Sequence, residues 1–426
     1  LGLVLMGIFD IAMIGKVSHV HIAGASLANN VFFIIVVFGM GLLMVIPALI
    51  SIIEGQKEGH DLSRFTRDGF WVALLVSLIT FVTILLSIDL FWIFRQQPEV
   101  ELLAKPYLKI VAYSVLPMFL FMLFKGISDG HSDTRPSMVI TILALGLNVL
   151  LNWLFIYGNW GFERMELNGA GWATFWSRTF MAVMMFVWVI LNKRIHITIA
   201  SLLKKSQGVQ NYLRLILKKG IPSGFQFFFE VTAFALAGIL AGRIGAMEQA
   251  SHQIAMNLAA VTYMFLGGLS TAGMIVVGEH HGTRNVPKIR EYTKHILLLG
   301  FGFTILFSLI FVTMRTILPT WFNDNAQVIA TSAQLLLFAA AFQMFDGIQV
   351  IQQGILRGME DTFVPSLITM LAYWFVATPL CYIFGLVLGW SVNGIWLGLT
   401  IGLVISAGLL SWRVKNMLRA QQSATV

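Results

Sequence analysis

GISDGHSDTRPS runs from Gly126 to Ser137, and GILRGMEDTFVPS runs from Gly354 to Ser366. The two stretches share their glycines, an Ile, an Asp-Thr pair and a Pro-Ser pair in the same order, with one extra residue before the second proline. A long segment that recurs at fixed spacing marks a chain built from repeats. The rest of the sequence keeps the register. A shift of 227 residues lays Gly15 on Gly242, Ala23 on Ala250, Ala28 on Ala255, Asn30 on Asn257, Phe38 on Phe265, Gly41-Leu42 on Gly268-Leu269 and Gly55 on Gly282. NGAGWAT from Asn168 and NGIWLGLT from Asn393 form a third pair in the same order. The chain is therefore written twice.

What is written twice is a set of membrane spans. Of 426 residues, 58% are hydrophobic and 11% charged, and the mean hydropathy is +0.82. Soluble domains carry about 25% charged residues. The charges cluster between uncharged runs long enough to cross roughly 30 Å of hydrocarbon. Short alternating segments of a transmembrane barrel are absent. The fold class is an all-α polytopic membrane protein. Twelve spans fall near 1–15, 27–51, 69–93, 107–128, 137–157, 170–191, 216–242, 253–277, 293–317, 328–356, 366–389 and 394–413. The first is short and begins at Leu1, so it is expected to be completed by residues upstream; nothing in it has the form of a cleavable signal peptide.

Each half holds six spans. Because six is even, both halves insert the same way, and two six-helix lobes are expected, related by a pseudo-two-fold axis along the membrane normal. The expected divisions are an N-terminal lobe over 1–192, a cytoplasmic linker over 193–219 and a C-terminal lobe over 220–426. Of 28 Lys and Arg, 20 lie on the side of the even-numbered loops and the C-terminal tail, 7 on the other, and Arg178 lies inside span 6. That bias puts both termini in the cytoplasm. The net charge of +8 is thus a topology signal spread over short loops, and it excludes a nucleic-acid footprint. Cys381 is the only cysteine, so no intramolecular disulfide can form.

Two lobes around a central cleft suit alternating access. No filter-like segment points to a channel and no phosphate loop to ATP hydrolysis. His19 and His21, like His280 and His281, lie at span ends or in loops, as solvated histidines do, and form no reactive constellation. The chain is not expected to be an enzyme.

Three acidic residues stand inside apolar segments: Asp10 in GIFDIAMIG, Glu230 in GFQFFFEVTAFALAG and Asp346 in AAFQMFDGIQVI. A carboxylate at a span centre costs about 2.5–3.5 kcal/mol on insertion scales. Glu230 follows Lys219 by eleven residues and Asp346 precedes Arg357 by eleven, which places both roughly 16 Å deep at the helical rise. Asp10 lies nearer the outer face, in the other half. The spans hold hardly any Lys or Arg to pair with them. Embedded ionisable groups mark ion or proton pathways. A carboxylate away from water can hold a proton, and Glu230 with Asp346 can equally coordinate a hard cation such as Na⁺. Cation coupling is the role expected of Asp10, Glu230 and Asp346. Asn148 and Asn152, four apart, share one helix face. Asn30, Gln253 and Asn257 lie one to two turns into spans 2 and 8. These amides serve a cleft or act as interhelical glue. Among the 34 Phe and 20 Met, some can line an adaptable cleft for aromatic cations.

Several stretches together resemble one family. DIAMIG at Asp10, NVLLNWLFIYG from Asn148, NGAGWAT from Asn168, GIPSGFQFFFE from Gly220, ASHQIAMN from Ala250 and FQMFDGIQVIQQGILRGMEDT from Phe342 are similar to the multidrug and toxic compound extrusion (MATE) transporters, NorM-like branch. The resemblance covers about Leu1 to Leu418. It implies a secondary-active antiporter that exports organic cations, drugs and dyes in exchange for inward Na⁺ or H⁺, and so contributes to antibiotic resistance from the bacterial inner membrane. Carried over by residue, Asp10 with Asn148 and Asn152 resembles a first-lobe cation site, to which Thr174 belongs. Glu230 and Asp346 resemble a second-lobe site, and Gln253 a cleft residue. One position departs: Ile11 follows Asp10 where relatives often have threonine, which removes a hydroxyl from the first set. The implied partners are small organic cations and the lipid bilayer, with no nucleic acid and no cofactor beyond the coupling ion, for a chain acting as a monomer. Sodium and protons both remain open. A related lipid-linked oligosaccharide flippase is the alternative, but flippases of that kind hold a pyrophosphate with basic cleft residues, and the embedded charges here are mainly acidic.

Overall fold

The computed structural model describes residues 2–56, 62–94, 97–192, 195 and 211–423. Most of the expected linker, residues 193–219, lies outside them. The described residues contain helices and no strand. Twelve helices match the twelve expected spans: α1 (Gly2–Ile14), α2 (His19–Gln56), α3 (Leu62–Ile88), α4 (Pro98–Gly130), α5 (Arg135–Tyr157), α6 (Glu166–Leu191), α7 (Tyr212–Ile244), α8 (Ala246–Gly282), α9 (Val286–Thr313), α10 (Ala326–Gly358), α11 (Phe363–Val387) and α12 (Ser391–Ser423). Eleven are long and apolar enough to cross a membrane; α1, with 13 residues, is shorter.

The starts and kinks follow local chemistry. Ser18 accepts from the Val20 N–H at 3.2 Å to open α2, and Asn325 accepts from the Gln327 N–H at 2.9 Å to open α10. Such caps satisfy amides that have no helical partner. The helical turns of α2 break at Met44 and Val45, and those of α4 at Ser114. Pro47 and Pro117 follow each break by about one turn, and a proline cannot donate to the carbonyl four residues back. Pro379 acts likewise in α11, where residues 371–377 form wide π-helical turns. Prolines and π turns are the usual sources of kinks.

The chain divides into two compact units: Leu1–Ile50 with Glu58–Gly224, and Ser51–Lys57 with Phe225–Val426. The duplicated segment has the same physical meaning in each. In the N-terminal lobe it supplies Gly126 and Gly130 at the end of α4. A Cβ on Gly126 would lie 3.0 Å from Ile46, and one on Gly130 2.5 Å from Ile50, both on α2. In the C-terminal lobe, a Cβ on Gly354 would lie 2.4 Å from the Ser270 carbonyl oxygen and one on Gly358 2.6 Å from that of Met274, both on α8. Glycines four apart let two helix backbones approach closely where lipid provides no hydrophobic drive. Both helices then stop in the same way. Ser132 and Glu360 adopt left-handed backbone, with φ of 60° and 59°. The Asp133 N–H donates to the Ser128 carbonyl at 3.1 Å and the Asp361 N–H to that of Leu356 at 2.8 Å, closing the helix ends in a Schellman arrangement. The third repeat pair also matches: Cβ atoms on Gly169 and Gly394 would lie 2.6 Å and 2.5 Å from the backbones of Phe155 and Phe384.

The outer faces are apolar. On α3 and α9, Leu78, Ile79, Leu298, Leu299 and Leu306 are more than half exposed. Exposed leucine stripes of this extent fit contact with lipid.

Candidate functional site

In the N-terminal lobe, α1 carries Asp10 against α5 and α6. Asn152 Nδ2 donates to Asp10 Oδ1 at 2.6 Å, and Thr174 Oγ1 donates to Asp10 Oδ2 at 2.8 Å. Asn152 Nδ2 also lies 3.3 Å from Asn148 Oδ1, across one turn of α5. Asp10 is 4% exposed and both asparagines are fully buried. The expected four-residue set therefore converges from three helices. The oxygen Asn152 Oδ1 is buried with no partner among the described residues. Asn148 Nδ2 is likewise unpartnered, and oxygen donors of the kind Asp10 and Asn152 supply suit a small hard cation. Arg178, the one base expected inside a span, acts on Asp10 electrostatically. It makes no ion pair with it among the described residues. Its Nη1 donates to Ser114 Oγ at 2.6 Å, and its guanidinium lies over the Phe32 ring at 5.1 Å.

In the C-terminal lobe, α7 and α10 bring Glu230 and Asp346 close enough to interact electrostatically, both buried. They differ in their partners. Gln349 Nε2 lies 3.4 Å from Glu230 Oε1 and donates to the Tyr373 hydroxyl at 2.9 Å. Gln353 acts electrostatically on Glu230, while its own amide nitrogen is buried with no hydrogen-bond partner among the described residues. Asp346 makes no hydrogen bond among the described residues. Glu230 is thus held in place while Asp346 is left open. No group of three or more His, Cys, Asp or Glu that could cage a metal occurs among the described residues. Two carboxylates amid amides and phenols fit a proton or a monovalent cation better than a transition metal, which takes imidazole or thiolate.

The sequence and the fold are similar to those of known proteins. The MatE family profile matches residues 1–154 and 222–383. The chain belongs to the MatE family. It is 32% identical over 426 residues to a "Probable multidrug resistance protein NorM" of Pasteurella multocida, covering 98% of this chain and 91% of that one. It is 29% identical over 416 residues to a "Multidrug resistance protein MdtK" of Photorhabdus laumondii, covering 96% of this chain and 90% of the relative. Among solved structures, the eukaryotic MATE transporter AtDTX14 superimposes with a TM-score of 0.88 at 17% identity, over 100% of this chain and 95% of that one. A MATE transporter in a bent conformation gives 0.89 at 18% identity, over 99% and 93%. At these identities the structural likeness concerns the fold alone.

Within the MatE chain, the remaining expected polar residues make no hydrogen bond to the carboxylates among the described residues. Asn30 is exposed on α2, and Gln253 and Asn257 are exposed on α8, where Gln253 Nε2 donates to Asn257 Oδ1 at 3.0 Å. Asn30 and Asn257 are repeat mates, so both lobes expose an asparagine at the same point. Arg357 requires a correction. It reads as a loop base at the end of span 10, but it is 6% exposed and its guanidinium lies over the Phe227 ring at 5.1 Å. It acts electrostatically on Glu230. The reason is its place between Gly354 and Gly358: the close packing that those glycines allow draws the last turn of α10 into the lobe. Gln349 and Gln353 were legible in principle, because they follow Asp346 at i+3 and i+7 and so share its face. Tyr373 was not, since a π-helical turn sets its direction.

Proposed function

We propose that the protein is a secondary-active multidrug antiporter, exporting organic cations from the cytoplasm in exchange for Na⁺ or H⁺ by alternating access. The observation that carries this reading is a buried carboxylate site in each lobe, one of whose members, Asp346, has no hydrogen-bond partner among the described residues. An embedded charge without a fixed partner is costly to keep unless it serves a moving ion. Asp10, held by Asn148, Asn152 and Thr174, is the first-lobe cation site. Glu230 and Asp346 act as the second, where coupling ion and cargo compete. A ligand shifts a two-state equilibrium only through its differential affinity for the states, so cation binding to these carboxylates drives the conformational exchange. The protein works as a single chain in the bacterial inner membrane with both termini cytoplasmic. Relatives named multidrug resistance proteins support drug cations as cargo.

The test is dye efflux from inverted vesicles under an imposed Na⁺ or H⁺ gradient, one at a time. Ethidium movement that follows one gradient and stops when it is collapsed is the expected result. Movement indifferent to both gradients overturns the antiport reading. Expression in a pump-deficient strain should raise ethidium tolerance; no gain despite confirmed membrane expression counts for the flippase class instead.

A further inference from the structure

The C-terminal lobe carries a groove of about 530 Å³ between α9, α10 and α12, and none of the carboxylate-site residues lines it. Three cations edge it: Arg290 and Lys294, one turn apart on α9, and Lys415 on α12. All three are exposed, and none forms an ion pair among the described residues. Two buried polar groups look into the same space without a partner. Thr293, 4% exposed, leaves its hydroxyl unbonded, although a threonine inside a helix ordinarily donates to the carbonyl one turn back. Gln352, 3% exposed, uses its amide nitrogen on Ser411 Oγ at 2.5 Å and leaves Oε1 unused. An unsatisfied buried polar group is expensive, so a pair of them facing one groove calls for a polar ligand.

The walls say which ligand. Apolar side chains, Leu297, Phe301, Ile348, Val414 and Leu418 among them, line most of the rest of the groove. Leu298, which also lines the groove, and its neighbour Leu299 are 56% and 57% exposed and belong to the lipid-facing surface. A soluble anion has no use for that apolar flank, and a second protein chain would not need a pocket with unpaired cations at its rim. We propose that this groove holds the headgroup of an anionic glycerophospholipid from the cytoplasmic leaflet. The phosphate sits among Arg290, Lys294 and Lys415 and accepts from the Thr293 hydroxyl. A headgroup or glycerol hydroxyl donates to Gln352 Oε1, and an acyl chain follows Leu297 and Phe301. Basic pockets between helices at the cytoplasmic side are suited to anionic headgroups, and the groove lies at the end of the lobe where the basic residues gather. Lys and Arg reach such a level by extending their stems along the apolar surface.

The experiment titrates the full-length purified chain in detergent with dioleoyl-phosphatidylglycerol, and in parallel with dioleoyl-phosphatidylcholine and inorganic phosphate, reading thermal unfolding. Phosphatidylglycerol should raise the midpoint, while the other two should not. Removing two cations in Lys294→Gln/Lys415→Gln should weaken the apparent affinity roughly 30-fold, at about a kilocalorie per cation. Thr293→Val should weaken it by less and leave the lipid-free midpoint unchanged. Should the double variant not fold, Arg290→Gln alone carries the same readout. Equal stabilisation by phosphatidylcholine or by phosphate overturns the proposal, as does phosphatidylglycerol affinity that is the same in the variants as in the parent chain. Dye efflux is a separate measurement, so failure of the antiport reading leaves this result interpretable.

Discussion

Asp346→Asn separates a coupling residue from a structural one, because the structure gives the two roles opposite signatures. Asp346 is buried and makes no hydrogen bond among the described residues. Replacing it by an isosteric amide therefore abandons no donor, and it removes a charge whose embedding costs about 2.5–3.5 kcal/mol on insertion scales. Stability should be unchanged or slightly higher. Transport should behave otherwise. One charge-assisted contact to a bound cation contributes about 1.5–3 kcal/mol, so losing it should lower cation affinity roughly 10- to 150-fold. The assay is gradient-driven ethidium efflux in proteoliposomes, with thermal unfolding of the same preparation. Efflux should collapse while the midpoint stays put. Normal efflux would falsify the coupling role. Collapse together with a midpoint several degrees lower would refute the structural premise, since it would mean that Asp346 holds the lobe together.

Asp10→Asn should differ in this respect: Asp10 accepts at 2.6 Å and 2.8 Å, so its loss should lower both efflux and stability, the latter by about 1–3 kcal/mol, measured in the same pair of assays. Gln349→Leu unhooks Glu230 from Tyr373, and efflux should fall severalfold; an unaltered rate would remove Gln349 from the site. Gly354→Ala puts a methyl group against the Ser270 carbonyl and should destabilise by about 1–3 kcal/mol, whereas Gly302→Ala, with nothing within 4 Å, should be neutral or stabilising by up to about 1 kcal/mol; similar midpoints for the two would break the close-packing account. Fusion reporters should be cytoplasmic-active at the C-terminus and exported near Glu163, and the reverse pattern would sink the orientation.

Much of this molecule is legible in its residues. Twelve apolar runs set the helix count, because each run must satisfy its own backbone in lipid and only a helix does so. The duplicated glycines of 126–137 and 354–366 determined that each lobe is crossed in the same manner, since only glycine admits the Ile50 and Ser270 contacts. Asp10, Glu230 and Asp346 stand out in the sequence because a carboxylate is costly in such surroundings. What tertiary structure alone decided is who their neighbours are. Asn148 and Asn152 share a face by spacing, but only the approach of α1 to α5 turns Asn152 toward Asp10. Glu230 and Asp346 sit at like depth by counting, yet the count cannot tell that Gln349 reaches the first and leaves the second open. Arg357 looked like a loop base because hydropathy ends the span there; the packing of Gly354 and Gly358 buries it. Tyr373 enters the site through a π-helical turn, which changes the period on which any reading of helix faces depends. Periodicity along one chain fixes which side chains share a face, and the direction of that face belongs to the packing of helices far apart in sequence.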